Sequence, residues 1–168
     1  MDNYVGPGAL FELIGGALRL NPNTYRAVSR SRDATKLCVA VAVLAGAASA
    51  PVIGPDEGLV LPVALVIGIL LSLGILAIES ALVWGLCRLV LREPRSYGEV
   101  VRPLAAAHVP RVGYLLVPII GYPPALGIGI TVWMLATFVV AMEAATRRGW
   151  LVAVSFCIVV GALRWLVV

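Results

Sequence analysis

Apolar residues dominate the chain between Lys36 and Val168, and polar residues interrupt them only in short stretches. Four of the apolar runs contain no charged side chain; they cover residues 37–55, 58–78, 125–142 and 149–163. A water-soluble domain of this length would lack the polar shell needed to cover so much apolar surface. The pattern therefore predicts an integral membrane protein, and it excludes most soluble enzyme chemistry.

These runs match the ~20 residues that a helix needs to cross the ~30 Å hydrocarbon core. They predict an all-α fold, a polytopic membrane bundle of five transmembrane helices, at residues 37–53, 59–91, 103–120, 125–142 and 150–168. At about 48 Å, the second span is too long for one buried crossing, so we expect it to tilt, to kink near Gly68 or Gly74, or to project. The third span is the weakest, because it contains His108, Pro110 and Arg111.

The polar stretch before the first span has a helical pattern of its own. Apolar residues between positions 9 and 20 fall mostly on one helical face, which predicts an amphipathic helix at the membrane surface. The motif Asn21-Pro22-Asn23-Thr24 is expected to end this helix. A basic collar follows, formed by Arg26, Arg30, Arg32 and Lys36. We therefore divide the chain into a cytoplasmic N-terminal segment, residues 1–35, and a five-helix transmembrane domain, residues 36–168.

Charged groups alternate between the two sides of the predicted membrane. On one side lie the basic collar, Arg92, Arg95, Arg102, Arg147 and Arg148; on the other lie Asp56, Glu57 and the uncharged turn Tyr122-Pro123-Pro124. Basic loops favour the cytoplasm, so five spans predict a cytoplasmic N-terminus and an outside C-terminus. Without the third span, the basic turn after span four would lie outside, so the charge pattern supports that span.

Composition adds three observations to this picture. Hydrophobic residues make up 61% of the chain and charged residues 13%, where a globular domain has roughly a quarter. Twelve of the 13 basic residues are arginine, which fits either a GC-rich genome or a specific role in phosphate recognition. Cys38, Cys87 and Cys157 all lie in apolar runs, so we interpret them as small buried hydrophobes rather than a disulfide or a metal site.

Several short sequence motifs lie between residues 9 and 168 and are considered together. They are Phe11-Glu12-Leu13-Ile14, Leu20-Asn21-Pro22-Asn23-Thr24-Tyr25-Arg26, Trp84-Gly85-Leu86-Cys87-Arg88, Ser96-Tyr97-Gly98-Glu99-Val100 leading into Ala106-Ala107-His108-Val109-Pro110, and the stretch 133–145. With these words the chain resembles the Yip family (Ypt/Rab-interacting, five-span membrane proteins) in its bacterial or archaeal form. The resemblance implies a prokaryotic inner or plasma membrane and no known catalytic site. In eukaryotes it implies contact with small GTPases in vesicle traffic, and in prokaryotes no defined activity. Glu143 departs from the family, where a basic residue is expected.

Three polar residues inside predicted spans are the candidates for function, because such groups are costly in a membrane. His108 and Arg111 lie one helical turn apart, and they suit a cofactor or lipid-headgroup site in which His108 is an axial ligand to a haem or chlorin. The alternative, which we favour, is a kinked helix mouth where Arg111 snorkels and backbone freed by Pro110 satisfies His108. Glu79 is expected to pair with Arg111 or to lie at the interface; a role in proton movement is the alternative.

Small residues recur at the four-residue spacing that lets membrane helices approach closely. The sets are Ala42/Gly46/Ala50, Gly68/Ser72 and Ala125/Gly129. They suit either contact with partner subunits or packing within one bundle, and we favour packing within the bundle. Gly46, Gly68, Ser72 and Gly129 are therefore predicted as helix-packing residues.

The chain offers no nucleophile–base pair, glycine-rich phosphate loop, paired carboxylates or metal-ligand spacing. We therefore expect no enzyme, no catalytic residue, no metal and no cofactor. The first functional hypothesis is a non-catalytic scaffold or accessory subunit that organises other membrane proteins. Its partners would be the lipid bilayer and other membrane subunits or further copies of itself, without nucleic acid. The alternatives are a small transporter or channel that uses Glu79, His108 and Arg111, and an accessory subunit holding a pigment or haem in an electron-transfer complex.

Overall fold

A computed structural model of the chain describes residues 7–53, 60–92, 94–120 and 123–167. Every regular element in these four ranges is helical, and none of the ranges contains a β-strand. The predicted class, an all-α membrane helical bundle, is confirmed. Three residues of the topology argument, Asp56, Glu57 and Tyr122, lie outside the described residues.

The helices follow one another with short connections. In chain order they are α1 (Pro7–Leu18), α2 (Pro22–Arg30), α3 (Ala34–Ala48), α4 (Ala50–Ile53), α5 (Leu61–Leu89), α6 (Tyr97–Ala106), a 3₁₀ helix (Val109–Leu116), α7 (Val117–Ile120), α8 (Pro124–Thr146) and α9 (Trp150–Val167).

Four helical stretches of the described chain are long and apolar enough to cross a membrane. They are α3 with α4, then α5, then α6 through α7, and α8. Only 22% of the most apolar window of α5 is buried inside the protein, which leaves most of its surface for lipid. α9 has 18 residues at the place of the predicted fifth span, and its described side chains end at Val160. The count of five crossings therefore stays a prediction.

The first two spans pack on each other along a stripe of small residues on α5. The buried positions of α5 recur every three or four residues, which is one face of a helix; they are Ala64, Gly68, Ser72, Leu76, Glu79, Ser80, Val83 and Cys87. On α3 the facing glycine is Gly46, and a Cβ built there would lie 2.6 Å from the carbonyl oxygen of Gly68. One turn further along α5, the Ser72 hydroxyl donates to the carbonyl oxygen of Ala42 at 2.9 Å.

The third span differs from its prediction at both ends of the helix. α6 begins at Tyr97, inside the stretch predicted as a basic loop, because Ser96 caps it and its Oγ accepts from the amide of Glu99 at 3.3 Å. Serine followed three positions later by glutamate is the capping-box pattern, which the sequence analysis missed. The α-helical conformation then ends at Ala106, and the 3₁₀ helix that contains Pro110 takes over. The expected kink is thus a change of helix type.

The N-terminal segment forms two helices rather than one helix and a collar. Asn21 begins the second of them: its side chain accepts from the amide of Asn23, and Pro22 takes the first helical position, where its missing amide costs nothing. α1 packs against α2, α3, α6 and the 3₁₀ helix. Leu13 and Tyr25 are fully buried there, so this segment belongs to the bundle.

Two arginines counted as loop charges are structural and buried. Arg95 donates to the carbonyl oxygens of Ala145 and Thr146, at 2.6 and 3.2 Å, which closes the end of α8. Arg102, on α6, donates to the carbonyl oxygen of Ser29 at 2.8 Å, which closes the end of α2. Helix ends leave carbonyl oxygens without partners, and a guanidinium offers five donors in a rigid fork. These interactions explain why the two charges are retained inside the protein.

A proline inside α6 creates a further tertiary contact. Pro103 has no amide hydrogen, so the carbonyl oxygen of Glu99, four residues earlier, loses its helical donor. The Ser29 hydroxyl donates to that oxygen at 3.0 Å. Ser29 therefore joins α2 to α6 by two hydrogen bonds. Its hydroxyl donates to the carbonyl oxygen of Glu99, and its own carbonyl oxygen accepts from Arg102.

Candidate functional site

The three intramembrane polar residues singled out from the sequence line one pocket. Its volume is about 480 Å³, and it lies among α5, the junction of α6 with the 3₁₀ helix, α8 and α9. The polar part of its lining is formed by Ser49, Ser72, Glu79, His108, Arg111, Tyr114 and Thr131. The apolar part includes Val52, Leu71, Ile75, Met134, Leu135, Phe138 and Val160. The lining thus combines charged and polar groups with apolar side chains.

Glu79 and His108 are neighbours in this lining. Glu79 lies on the buried stripe of α5 and is 7% exposed, and His108 is 2% exposed. Oε2 of Glu79 lies 3.4 Å from Nε2 of His108. The sequence predicts Arg111 as the first choice of partner for Glu79, and the structure places His108 next to Glu79. The pairing with Arg111 stays a prediction.

The position of His108 follows from the change of helix type. α6 ends just before it, and the freed carbonyl oxygen of Ala107 accepts the Thr137 hydroxyl at 2.9 Å. The turn therefore has a fixed place against α8. Neither ring nitrogen of His108 makes a hydrogen bond to the described residues. The interpretation in which backbone groups satisfy this ring is wrong, since the neighbouring carbonyl bonds to Thr137 instead.

His108, Arg111 and Tyr114 reach the pocket together because of the 3₁₀ conformation. In a 3₁₀ helix residues three apart lie directly above one another, whereas in an α-helix they drift around the axis. The amide of Arg111 donates to the carbonyl oxygen of His108 at 3.0 Å, which is this three-residue bond. Tyr114 was missed in the sequence analysis, and the spacing 108, 111, 114 together with Pro110 is the signal that points to it.

The pocket lies deep along α5. Glu79 is ten residues from Leu89, the last residue of α5, which is about 15 Å along the axis. With α5 about 43 Å long by the same rise, Glu79 lies well inside the helix and away from both of its ends. Its carboxylate is buried, and a polar neighbour such as His108 has a greater effect there than in water.

The polar groups of this pocket differ in their hydrogen-bonding chemistry. The carboxylate of Glu79 accepts hydrogen bonds, the guanidinium of Arg111 donates them, and the ring of His108 does either. Met134 and Phe138 offer apolar and aromatic surface next to these groups. Among the described residues, no three histidine, cysteine, aspartate or glutamate side chains come together as a metal site. We assign no metal to the pocket.

The predicted packing residues divide into two groups. Gly46, Gly68 and Ser72 lie at the contact of α3 with α5, where added side-chain atoms would meet backbone. Gly129 lies elsewhere: it is exposed on α8, and a Cβ there would meet no atom within 4 Å. No described part of the bundle packs against it, so its role as a packing residue stays a prediction.

Comparison of the chain with protein-family models, with curated proteins and with solved structures finds no match. The resemblance to the Yip family is therefore a proposal that rests on the sequence words alone.

Proposed function

We propose that this protein is a non-catalytic integral membrane protein that binds a small amphipathic molecule in the intramembrane pocket. The observation that carries the proposal is His108, a side chain buried to 2% exposure that lines the cavity while neither ring nitrogen has a hydrogen bond to the described residues. The cavity volume of about 480 Å³ falls within the ~300–1,000 Å³ typical of small-molecule sites.

The energetics favour a ligand with a polar head. A buried polar group without a hydrogen bond costs about 1–3 kcal/mol. His108 has Glu79 as an ion-pair neighbour at 3.4 Å but makes no hydrogen bond to the described residues, so a ligand that hydrogen-bonds to its ring recovers part of this cost. Glu79 and Arg111 also line the cavity and supply opposite charges. Met134 and Phe138 offer apolar surface to the rest of the ligand. A molecule dissolved in the bilayer, polar at one end and apolar at the other, fits both parts.

The test is analysis of small molecules that remain with the protein after purification in mild detergent. Wild type is expected to retain a compound that solvent extraction and mass spectrometry detect, and His108→Leu and Glu79→Gln are expected to lose it. Ser155→Ala is the matched control, because Ser155 is exposed on α9 and lies outside the pocket lining. Equal retention by His108→Leu and wild type contradicts the proposal. Visible absorption of the same sample tests the pigment or haem alternative.

The transporter alternative predicts movement of ions rather than binding alone. The pocket supports it through the same residues, Glu79, His108 and Arg111. Protein reconstituted into vesicles is expected to leave proton and small-ion permeability unchanged. A flux that Glu79→Gln abolishes would replace the binding proposal with transport.

The scaffold function is the second candidate, and one observation favours it. Ala125 and Gly129 are exposed on α8, together with the large apolar side chains of Ile128 and Val132. A Cβ at Gly129 would meet no described residue within 4 Å, and an open face with small residues suits contact with another membrane helix. Cysteine cross-linking at Gly129 in native membranes tests it: products above the monomer mass support a partner or a second copy, and their absence opposes the scaffold.

We propose the orientation that the charges indicate, with the N-terminus in the cytoplasm of a prokaryotic cell and the C-terminus outside. Arg95, Arg102, Arg147 and the α2 arginine Arg26 all lie at one end of the bundle, joined by the contacts of that end. This common end supports the positive-inside assignment. Single cysteines at Glu57 and Tyr122 should label from the outside. Labelling at Arg147 from the outside would reverse the orientation.

A further inference from the structure

A second cavity, about 350 Å³ in volume, opens at the arginine-rich end of the bundle. α2 forms one wall through Arg26 and Arg30, and the end of α8 with the following turn forms the other through Arg147 and Arg148. Four arginines and a single glutamate, Glu143, are the charged residues of its lining. The cavity therefore attracts anions.

The two walls are fixed relative to each other. Arg26 bonds to Glu143 at 2.6 Å across the cavity, and the Ser29 contacts hold α2 on α6. Glu143 therefore pairs with Arg26 and links α8 to α2; we call this ion pair the clasp. Arg30 makes no ion pair among the described residues, and it lines the same space. A positive group is left facing a preformed cavity.

The end of α8 brings the Arg147 side chain to the cavity. Arg147 ends α8 in the left-handed conformation, with φ of 51°, which costs residues other than glycine about 1 kcal/mol. One guanidinium nitrogen of Arg147 lies 3.7 Å from Oε2 of Glu99 on α6, so this side chain both lines the cavity and pairs with α6.

Exposed apolar side chains lie beside this cavity. α9 begins immediately after its lining with Trp150 and Leu151, which are 63% and 64% exposed. Tryptophan collects where a membrane changes from hydrocarbon to water, and an exposed leucine beside it needs an apolar environment. A lipid whose headgroup reached the arginines would have its acyl chains next to these two side chains.

We propose that this cavity binds the phosphate of an anionic phospholipid from the surrounding leaflet. Arginine guanidinium groups match phosphate oxygens in pairs, and basic pockets beside membrane helices on the cytoplasmic side suit acidic headgroups. The site is separate from the intramembrane pocket and shares no lining residue with it. Such a site would explain the excess of arginine over lysine, because the planar guanidinium group of arginine donates paired hydrogen bonds to phosphate and the ammonium group of lysine does not.

Native mass spectrometry of the delipidated full-length protein in neutral detergent tests the site. Phosphatidylglycerol is titrated against phosphatidylcholine, and inorganic phosphate is added as a competitor. Phosphatidylglycerol is expected to bind more tightly than phosphatidylcholine. Arg30→Gln with Arg148→Gln is expected to weaken its binding about 25-fold, at about fivefold for each arginine. Lysine at the same two positions should restore part of the loss.

The control removes the same charge elsewhere. Arg19 and Arg32 are exposed on the N-terminal segment and lie outside the cavity, so Arg19→Gln with Arg32→Gln should change the affinity less than twofold. An equal loss in this control would show diffuse attraction and overturn the site. Equal binding of the two lipids overturns it as well. If millimolar inorganic phosphate displaces the lipid fully, the site is one for free phosphate, and the lipid assignment fails.

Discussion

Gly46 and Gly68 touch backbone to backbone where α3 crosses α5. A Cβ on Gly46 would lie 2.6 Å from the carbonyl oxygen of Gly68 and 2.7 Å from the Cα of Ile69, and a Cβ on Gly68 would collide with the carbonyl oxygen of Gly46. Real Cβ atoms do not approach backbone this closely, so the two helices would have to separate. The crossing also sets the distance over which Ser72 reaches the carbonyl oxygen of Ala42.

Gly46→Ala is expected to lower the free energy of unfolding by about 1–3 kcal/mol, the usual cost of overfilling a packed contact. Gly129→Ala is the matched control, since it adds the same methyl group to open space, and it should change stability by less than about 1 kcal/mol. Thermal unfolding in one detergent measures both. Equal losses for the two variants would show that the close crossing does not matter.

Ser29→Ala is expected to cost about 1 kcal/mol, because it leaves the carbonyl oxygen of Glu99 without a donor. Pro103→Ala restores an amide that can bond to that same oxygen within α6. In the Pro103→Ala background, Ser29→Ala should therefore cost less. A double-mutant cycle on unfolding free energies measures the difference, and strictly additive effects would contradict the compensation.

Arg102→Gln is expected to release α2 from α6, since it removes donors to Ser29 and Thr35. Loss of a buried charged hydrogen bond costs about 1.5–3 kcal/mol. Protease cleavage in the N-terminal segment should accelerate, while the exposed substitution Arg32→Gln should leave cleavage unchanged. Resistance of Arg102→Gln equal to wild type would mean that apolar packing alone holds the segment.

Leu13→Glu is expected to undock α1, because Leu13 is fully buried beneath it. Phe11→Glu should have little effect, since Phe11 is 75% exposed on the opposite side. The two variants add the same charge two positions apart, so hydrogen exchange of the N-terminal amides separates docking from general charge effects. Faster exchange in Phe11→Glu than in Leu13→Glu would reverse the assigned face.

Alkaline pH is expected to weaken the docked N-terminal segment through Tyr25. Burial raises the pKa of Tyr25 above its ordinary value of 10.0, and its hydroxyl donates to the carbonyl oxygen of Ala17 at 3.3 Å. Its contribution is complete below about pH 10, where both states hold the proton. It falls as the pH rises further, because only the unfolded chain releases the proton. Unfolding free energies from pH 8 to 11 should fall less steeply in Tyr25→Phe, and equal slopes would contradict this.

The positions of the long apolar helices are predicted well from the sequence, because they depend on runs of neighbouring apolar residues. Apolar runs and helix length decide where α5 and α8 lie, and no knowledge of neighbours is needed. The separate helix α2 was missed because its buried face, with Tyr25 and Val28, is visible only once something covers it. Without that information, the arginines in and around α2 were interpreted only as a basic collar before the first span.

The partners of buried polar groups were harder to predict than their positions. Glu79 and His108 were both identified as costly, yet the contact between them depends on how α5 and the turn after α6 are rotated. Arg95 and Arg102 were counted as loop charges, because the carbonyl groups they satisfy belong to helices 50 and 73 positions away. Such long-range capping leaves no pattern in a single sequence.

The clasp between Arg26 and Glu143 joins residues 117 positions apart, and this separation orders the events of synthesis. α6 is made before α8, so the Ser29 contacts that dock α2 on α6 can form first. The ion pair between Arg26 and Glu143 can form only after α8 has left the ribosome. The N-terminal segment is thus expected to close in two steps during synthesis, first on α6 and then on α8.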